Sequence, residues 1–260
     1  MSAWPIAATV PRVALVTGGA KRLGREIALA LAKEGFAIAL HCHQSAEAAE
    51  ETAAEIRGLG VEVAILAADL GQEDAVAALL GRAAAALGPV GVLVNNASVF
   101  ERDEWESATR ASWEAHLEPN LRAPFVLMQH FARDLPAAAE GVVINLLDQR
   151  VWSLTPHFVS YTVSKAGLWA LTQSMALALA PRIRVAAIGP GPTLPSPRQS
   201  EAQFARQAQA TPLGRAAEPR EIARAALAIL ALPAFTGQML ALDGGQHLQW
   251  GPPAPAMIEE

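Results

Sequence analysis

Tyr161 and Lys165 stand four residues apart in the stretch YTVSK, and Asp148 precedes the tyrosine by thirteen. On a helix, positions four apart share a face, so an ammonium at 165 lies beside a phenol at 161 and stabilises its anion. Such a pair does acid–base work, and a carboxylate just past the end of a strand adds a further proton acceptor. Tyr161 is the only tyrosine in the chain. Taken alone, a Tyr-x-x-x-Lys spacing is a common pair of surface neighbours, so it gains meaning from its surroundings.

A second stretch, TGGAKRLGR at residues 17–25, follows the apolar run RVALV. Glycines let the backbone come close to a ligand, and a helix N-terminus offers free N–H groups and the positive end of its dipole. That combination suits a pyrophosphate held by Gly18, Lys21, Arg22, Leu23 and Gly24. The turn is neither G-x-G-x-x-G nor a Walker loop, and by itself it also reads as a tight strand-to-helix connection. Lys21 and Arg22 place positive charge beside it, and HCHQS (41–45) closes the next apolar run. Enzymes using NAD place Asp or Glu at that end for the ribose 2′-hydroxyl; His43, Gln44 and Ser45 instead suit a 2′-phosphate, which implies NADP(H).

These groups need elements to position them, and the hydrophobic pattern supplies a repeating alternation. Apolar runs at 13–17, 37–41, 61–67, 90–96, 141–147, 183–188 and 238–242 read as seven strands. Helical patterns lie between them, the first stopped by Gly35, with two helices separated near Pro119 and others around 159–179 and 219–231. Strands alternating with helices predict one α/β domain over 1–260, a doubly wound Rossmann-type parallel sheet covered by helices on both faces. Ligands then bind beyond the C-terminal strand ends, so the loops after 17, 41, 67, 96, 147 and 188 carry the function. Residues 1–11 and 251–260 read as loose ends. The Pro-rich segment 190–215 reads as a substrate loop, with Ser200 capping a short helix from Glu201 and Leu194 near the substrate.

Composition narrows the classes. The chain has 260 residues, 52% hydrophobic, with a net charge of −5 and no basic stripe, which argues against nucleic acid. The one cysteine, Cys42, excludes an intrachain disulfide. No run is long and apolar enough for a membrane span, and the N-terminus lacks a signal-peptide pattern, so the expected address is cytoplasmic. His41 and His43 alternate along a strand end, so one faces inward, and no spacing suits a metal. The tryptophans at 105, 113, 152, 169 and 250 read as packing or interface residues, with Trp152 bordering the pocket.

The ordered pieces TGGAKRLG, AADL with Asp69, NNAS (95–98), Asn120, YTVSK, the PGP at 190–192 and LDGG (242–245) resemble the short-chain dehydrogenases/reductases from about residue 12 to 249. The resemblance implies a homo-oligomer, tetrameric or dimeric with the tetramer favoured, that transfers hydride from a nicotinamide. It gives Tyr161 the role of proton donor, has Lys165 hold the ribose and tune Tyr161, and puts Asn120 in a water-linked proton relay. Asp69 and Leu70 would contact the adenine side, with Asn96, Ala97, Ser98, Pro190 and Gly191 along the cofactor.

Two departures resemble one branch, the pteridine reductases and dihydromonapterin reductases: Arg22 replaces the middle glycine of TGxxxGxG, and Asp148 replaces the catalytic serine. Gln44 stands where that branch has a basic residue. A carboxylate would repel a developing alkoxide, whereas beside a ring nitrogen it accepts an N–H bond or delivers a proton. The resulting expectation is reduction of a pterin C=N bond, with Arg22, Ser98, Phe100, Asp148, Tyr161 and Leu194 at the substrate. Phe100 would stack the ring against the nicotinamide. Two alternatives stay open: a carbonyl reductase of the same fold, and a non-catalytic NADPH-binding protein.

Overall fold

The computed structural model describes residues 4–249. Its strands are β1 (Val13–Val16), β2 (Ala37–Cys42), β3 (Val63–Ala67), β4 (Val92–Asn95), β5 (Gly141–Leu146), β6 (Ile183–Pro190) and β7 (Met239–Leu242). They form one parallel sheet in the order β3-β2-β1-β4-β5-β6-β7. The order reverses between β1 and β4, which opens the crevice where such sheets bind ligands. β1, β4 and β5 are buried along their whole length. Continuous Val, Leu and Ile runs, rather than alternating ones, are what a sheet covered on both faces demands.

The helices are α1 (Arg22–Lys33), α2 (Ala46–Gly58), α3 (Glu73–Leu87), α4 (Arg110–Leu117), α5 (Ala123–Asp134), α6 (Val159–Leu179), α7 (Glu201–Gln209) and α8 (Pro219–Ala231). One core layer gathers Ile27 and Leu31 of α1 with Ile222 and Ile229 of α8; the other gathers Leu79 of α3 with Leu127 and Phe131 of α5. Gly35, with φ 81°, ends α1 as expected. Ser200 caps α7 by accepting from the Gln203 N–H, and the Gln203 side chain accepts from the Ser200 N–H in return.

Two expectations change. The break near Pro119 is no gap: α4 runs into α5 through a π-helical turn at Glu118–Arg122. Proline there costs little, because the wider turn already lacks the ordinary i to i−4 ladder. Residues 4–11 are not loose. Ile6 and Val10 are buried in the core, Thr9 Oγ1 donates to Glu140, and the Thr9 carbonyl accepts from the Glu140 N–H. Residues 1–3, Trp250 and 251–260 lie outside the described residues. Among the described residues no helix is long and apolar enough to cross a membrane.

Candidate active site

The turn after β1 is shaped by its backbone. A Cβ on Gly24 would lie 2.2 Å from the Gly18 carbonyl oxygen, so only glycine lets α1 start this close to the strand. The Asn96 amide donates to the carbonyls of Thr17 and Gly18 at 2.8 and 3.1 Å. Thr17 Oγ1 accepts from the N–H groups of Asn96 and Ala97 at 2.9 and 3.0 Å. The loop after β4 thereby grips the turn after β1.

His41 is the inward histidine, and its role escaped the sequence. Its Nδ1 accepts from the Gly18 N–H at 3.1 Å, which leaves the proton on Nε2, 3.1 Å from the Ala68 carbonyl. Burial pulls its pKa down to about 4, so the neutral ring is the stable form. One imidazole thus joins the ends of β1, β2 and β3. The only signal for it was the alternation of His41 with exposed His43.

Two adjoining clefts meet at this turn and share Arg22, Leu23, Asn96 and Ser98. The first is lined by Gly18, Lys21, Gly24, His43, Asp69, Leu70 and Ala97. Asp69 Oδ1 accepts from the Gly71 N–H at 2.9 Å, fixing the bend after β3. Gln44 and Ser45 do not line it: Gln44 is exposed, and Ser45 sits at the start of α2. Of the residues read as phosphate ligands at that end, Lys21, Arg22 and His43 do line the cleft.

The second cleft is lined by Phe100, Asp148, Tyr161, Lys165, Pro190, Gly191 and Leu194. Tyr161 donates its hydroxyl to Asp148 Oδ2 at 2.9 Å, while Asp148 Oδ1 accepts from the Arg150 N–H at 2.9 Å. Lys165 is buried; its Nζ donates to the Leu146 carbonyl at 2.8 Å and lies 5.9 Å from the Tyr161 ring centroid. Burial, and then the Asp148 charge, hold the Tyr161 hydroxyl well above the ordinary tyrosine value. That is opposite in sign to the effect expected from Lys165 alone, because burial and the carboxylate both disfavour the phenolate. Burial pulls Lys165 down to about 8, with Asp148 opposing it.

Asn120 lines neither cleft. It is buried in the π-helical turn, where its amide donates to the Val99 carbonyl and Ser164 Oγ and its Oδ1 accepts from the Val99 N–H. Its side chain clamps the loop after β4. Phe100 presents one face to Phe158, stacked at 4.6 Å and 14°, and meets Tyr161 edge-on at 4.6 Å. Trp152 does not border the pocket; half-exposed, it packs edge-on against Trp169 and His247. Trp105 is 78% exposed and stands outside the buried core.

Arginines tie the segment 190–215 across this cleft. Arg22 donates to the carbonyls of Pro195 and Leu194 at 3.1 and 3.3 Å. Arg198 donates to Glu101 at 2.7 Å and to the Phe100 carbonyl at 2.8 Å. Arg22 keeps φ at 54°, the left-handed conformation a glycine would favour. Holding a non-glycine residue there costs roughly 1–2 kcal/mol. Arg198 carried no sequence signal, since one arginine in a Pro-rich loop looks like any solvated charge. Among the described residues no cluster of His, Cys, Asp and Glu could hold a metal ion.

The sequence comparisons agree with this geometry. Residues 12–206 match the family described as short chain dehydrogenase. A cis-4-hydroxycyclohexanecarboxylate dehydrogenase of Sinomonas cyclohexanicum is 35% identical over 244 residues, 90% of this chain and 96% of that protein. A 3-oxoacyl-acyl-carrier-protein reductase of Staphylococcus aureus is 31% identical over 240 residues, 90% of this chain and 98% of that protein. The crystal structure of FolM alternative dihydrofolate reductase 1 from Brucella canis, complexed with NADP, superposes with a TM-score of 0.91. It is 43% identical and covers 96% of this chain and 100% of its own. With a glycine-built turn at the switch point of the sheet and a Tyr-x-x-x-Lys helix facing it, the chain belongs to the short-chain dehydrogenase family.

Proposed function

We propose that this protein is an NADPH-dependent reductase of a pterin C=N bond, converting a dihydropterin to a tetrahydropterin. The observation that carries the reading is the hydrogen bond from Tyr161 to Asp148 in the second cleft. A hydroxyl at position 148 would serve a carbonyl oxygen on its way to an alkoxide; a carboxylate there opposes that charge and instead accepts from, or protonates, nitrogen. The 43% identity to a FolM alternative dihydrofolate reductase supports the same substrate class.

The first cleft fits an anionic dinucleotide, with Lys21, Arg22 and the N-terminus of α1 at the turn and Asp69 farther along. When bound, NADPH supplies the hydride that reaches the substrate carbon. The chain's own groups handle the proton. Tyr161 stays protonated because burial and Asp148 hold its pKa up, and it gives that proton to the ring nitrogen. Lys165 keeps a positive charge nearby and loses it as the pH rises through about 8, so kcat/KM falls on the alkaline side. Arg22 spans the two clefts, within reach of a phosphate on one side and the ring on the other. A cytoplasmic homo-oligomer, the tetramer first, goes with this reading; what supports assembly is the apolar surface left on α6 at Val163 and Leu177.

The second reading, a carbonyl reductase, draws on relatives named for an oxoacyl thioester and a hydroxycyclohexane carboxylate. Initial-rate NADPH oxidation separates the two, using dihydromonapterin, dihydrobiopterin and dihydrofolate against an acetoacetyl thioester, with NADH as the cofactor control. The expected result is turnover of pterins with NADPH, lost in Asp148→Ser. Full pterin activity in Asp148→Ser removes the role given to Asp148, and turnover of the thioester alone removes the pterin reading. Binding of NADPH with no turnover of any substrate would favour a non-catalytic role.

A further inference from the structure

A buried trio of Asp103, His116 and Ser160 packs against the active-site tyrosine and takes no part in the chemistry above. The three are 4%, 1% and 0% exposed, and the His116 ring lies 6.2 Å from that of Tyr161. Serine, histidine and aspartate together invite comparison with a hydrolytic triad, but the proton positions exclude it. The Glu101 N–H donates to His116 Nε2 at 2.9 Å, so the ring proton sits on Nδ1, facing Ser160 Oγ at 2.7 Å and the Ser112 carbonyl at 3.0 Å. Ser160 donates its own proton to Asp103 Oδ2 at 2.5 Å. The histidine is a donor here, the hydroxyl points at the carboxylate, and all three are buried.

What the trio holds is the start of α6. Phe158, at the N-cap, has no side-chain oxygen to offer and sits at φ 57°. A bulky residue in that conformation is strained and persists only where its surroundings fix it. Asp103 supplies the missing cap from the loop after β4. Its carbonyl accepts from the N–H groups of Phe158 and Val159 at 2.9 and 3.4 Å, and its Oδ1 accepts from the Ser160 N–H at 3.1 Å. His116 pins Glu101, the neighbour of Phe100, in the same network. The loop that carries Phe100 and the helix turn that carries Phe158 and Tyr161 are therefore joined by one set of buried bonds.

We propose that Asp103, His116 and Ser160 are positioning residues that fix the rings of Phe100 and Phe158 beside Tyr161, and so set the slot in which a planar substrate ring meets the proton donor. The substrate half of this inference rests on the pterin reading; the ring-positioning half does not.

Because Tyr161 is the only tyrosine, 13Cζ-labelled tyrosine gives a single NMR resonance that reports on the slot without any substrate. Asp103→Asn keeps an acceptor for the Ser160 N–H but loses the carboxylate oxygen that takes the hydroxyl; Asp103→Ala loses both. KM for the dihydropterin is expected to rise roughly tenfold in Asp103→Asn and further in Asp103→Ala, with kcat changed less. Affinity for NADPH should hold, and the Tyr161 resonance should move in the same order, with Ser160→Ala between the two. Thr236→Val is the control. Its hydroxyl serves the Val185 backbone at the other end of β6, so it loses stability while KM and the resonance stay in place. An unmoved resonance and KM in folded Asp103→Asn and Ser160→Ala overturn the proposal, as does an equal change in Thr236→Val. If Asp103→Ala does not fold, the other two variants carry the test. If the wild-type protein does not turn over a dihydropterin, the functional reading falls while the resonance series still decides the positioning.

Discussion

The two halves of the cleft are built from different materials. On the cofactor side, geometry is set by main chain and the short side chains bonded directly to it: Gly24 against the Gly18 carbonyl, Asn96 and Thr17 clasping two loops, His41 joining three strand ends. On the substrate side, the covering segment is held by long side chains reaching across solvent-facing gaps, with Arg22 and Arg198 gripping carbonyls of facing loops. The first arrangement tolerates no added atom. The second can be released and remade, which suits a cover that must admit a substrate.

That contrast is broken most severely by Gly24→Ala. A methyl group 2.2 Å from a backbone oxygen cannot be absorbed by a side-chain rotation, so the turn must shift. Affinity for NADPH, measured by calorimetric titration, is expected to fall roughly a hundredfold, equivalent to about 3 kcal/mol. Arg22→Gly sharpens the comparison, because it should separate stability from function. Relief of the left-handed strain and loss of the charged hydrogen bonds oppose one another, so the melting temperature moves little, while kcat/KM falls about tenfold. An Arg22→Gly enzyme with unchanged kcat/KM would show that the arginine is a packing residue. The smallest effect belongs to Arg198→Ala. Its pair with Glu101 is exposed, so KM should rise only about two- to threefold, with kcat and NADPH affinity held.

The same division explains what was legible beforehand. The seven strands, the body of α6 and the cap at Ser200 could be read because each rests on a local pattern: an apolar run, a helical period, a Ser ahead of a helical stretch. The glycine turn and the Tyr161–Lys165 face were legible for the same reason. Arg198 and the Asp103–His116–Ser160 network were not, because their partners lie on loops and helices far apart in sequence, and nothing local marks a buried His from a surface one. The stretch His43, Gln44 and Ser45 looks like one unit in the sequence; the structure parts it, since only His43 lines the cleft as the chain bends toward α2. The packed segment 4–11 escaped notice because two isolated apolar residues, Ile6 and Val10, make no periodic pattern.

The π-helical turn at Glu118–Arg122 has a consequence for how this protein can vary. It lets His116 reach Glu101 and Asn120 reach Val99, two points on one loop, from a single continuous rod. Removing one residue from the turn would restore an ordinary α-helix and close the bulge that carries Asn120 toward Val99, while the halves on either side keep nearly their present facing. What is stored there is a count of residues, and replacing them one by one leaves the count intact. Single-residue deletions along 118–122 would therefore expose a dependence to which an alanine scan of the same positions is blind.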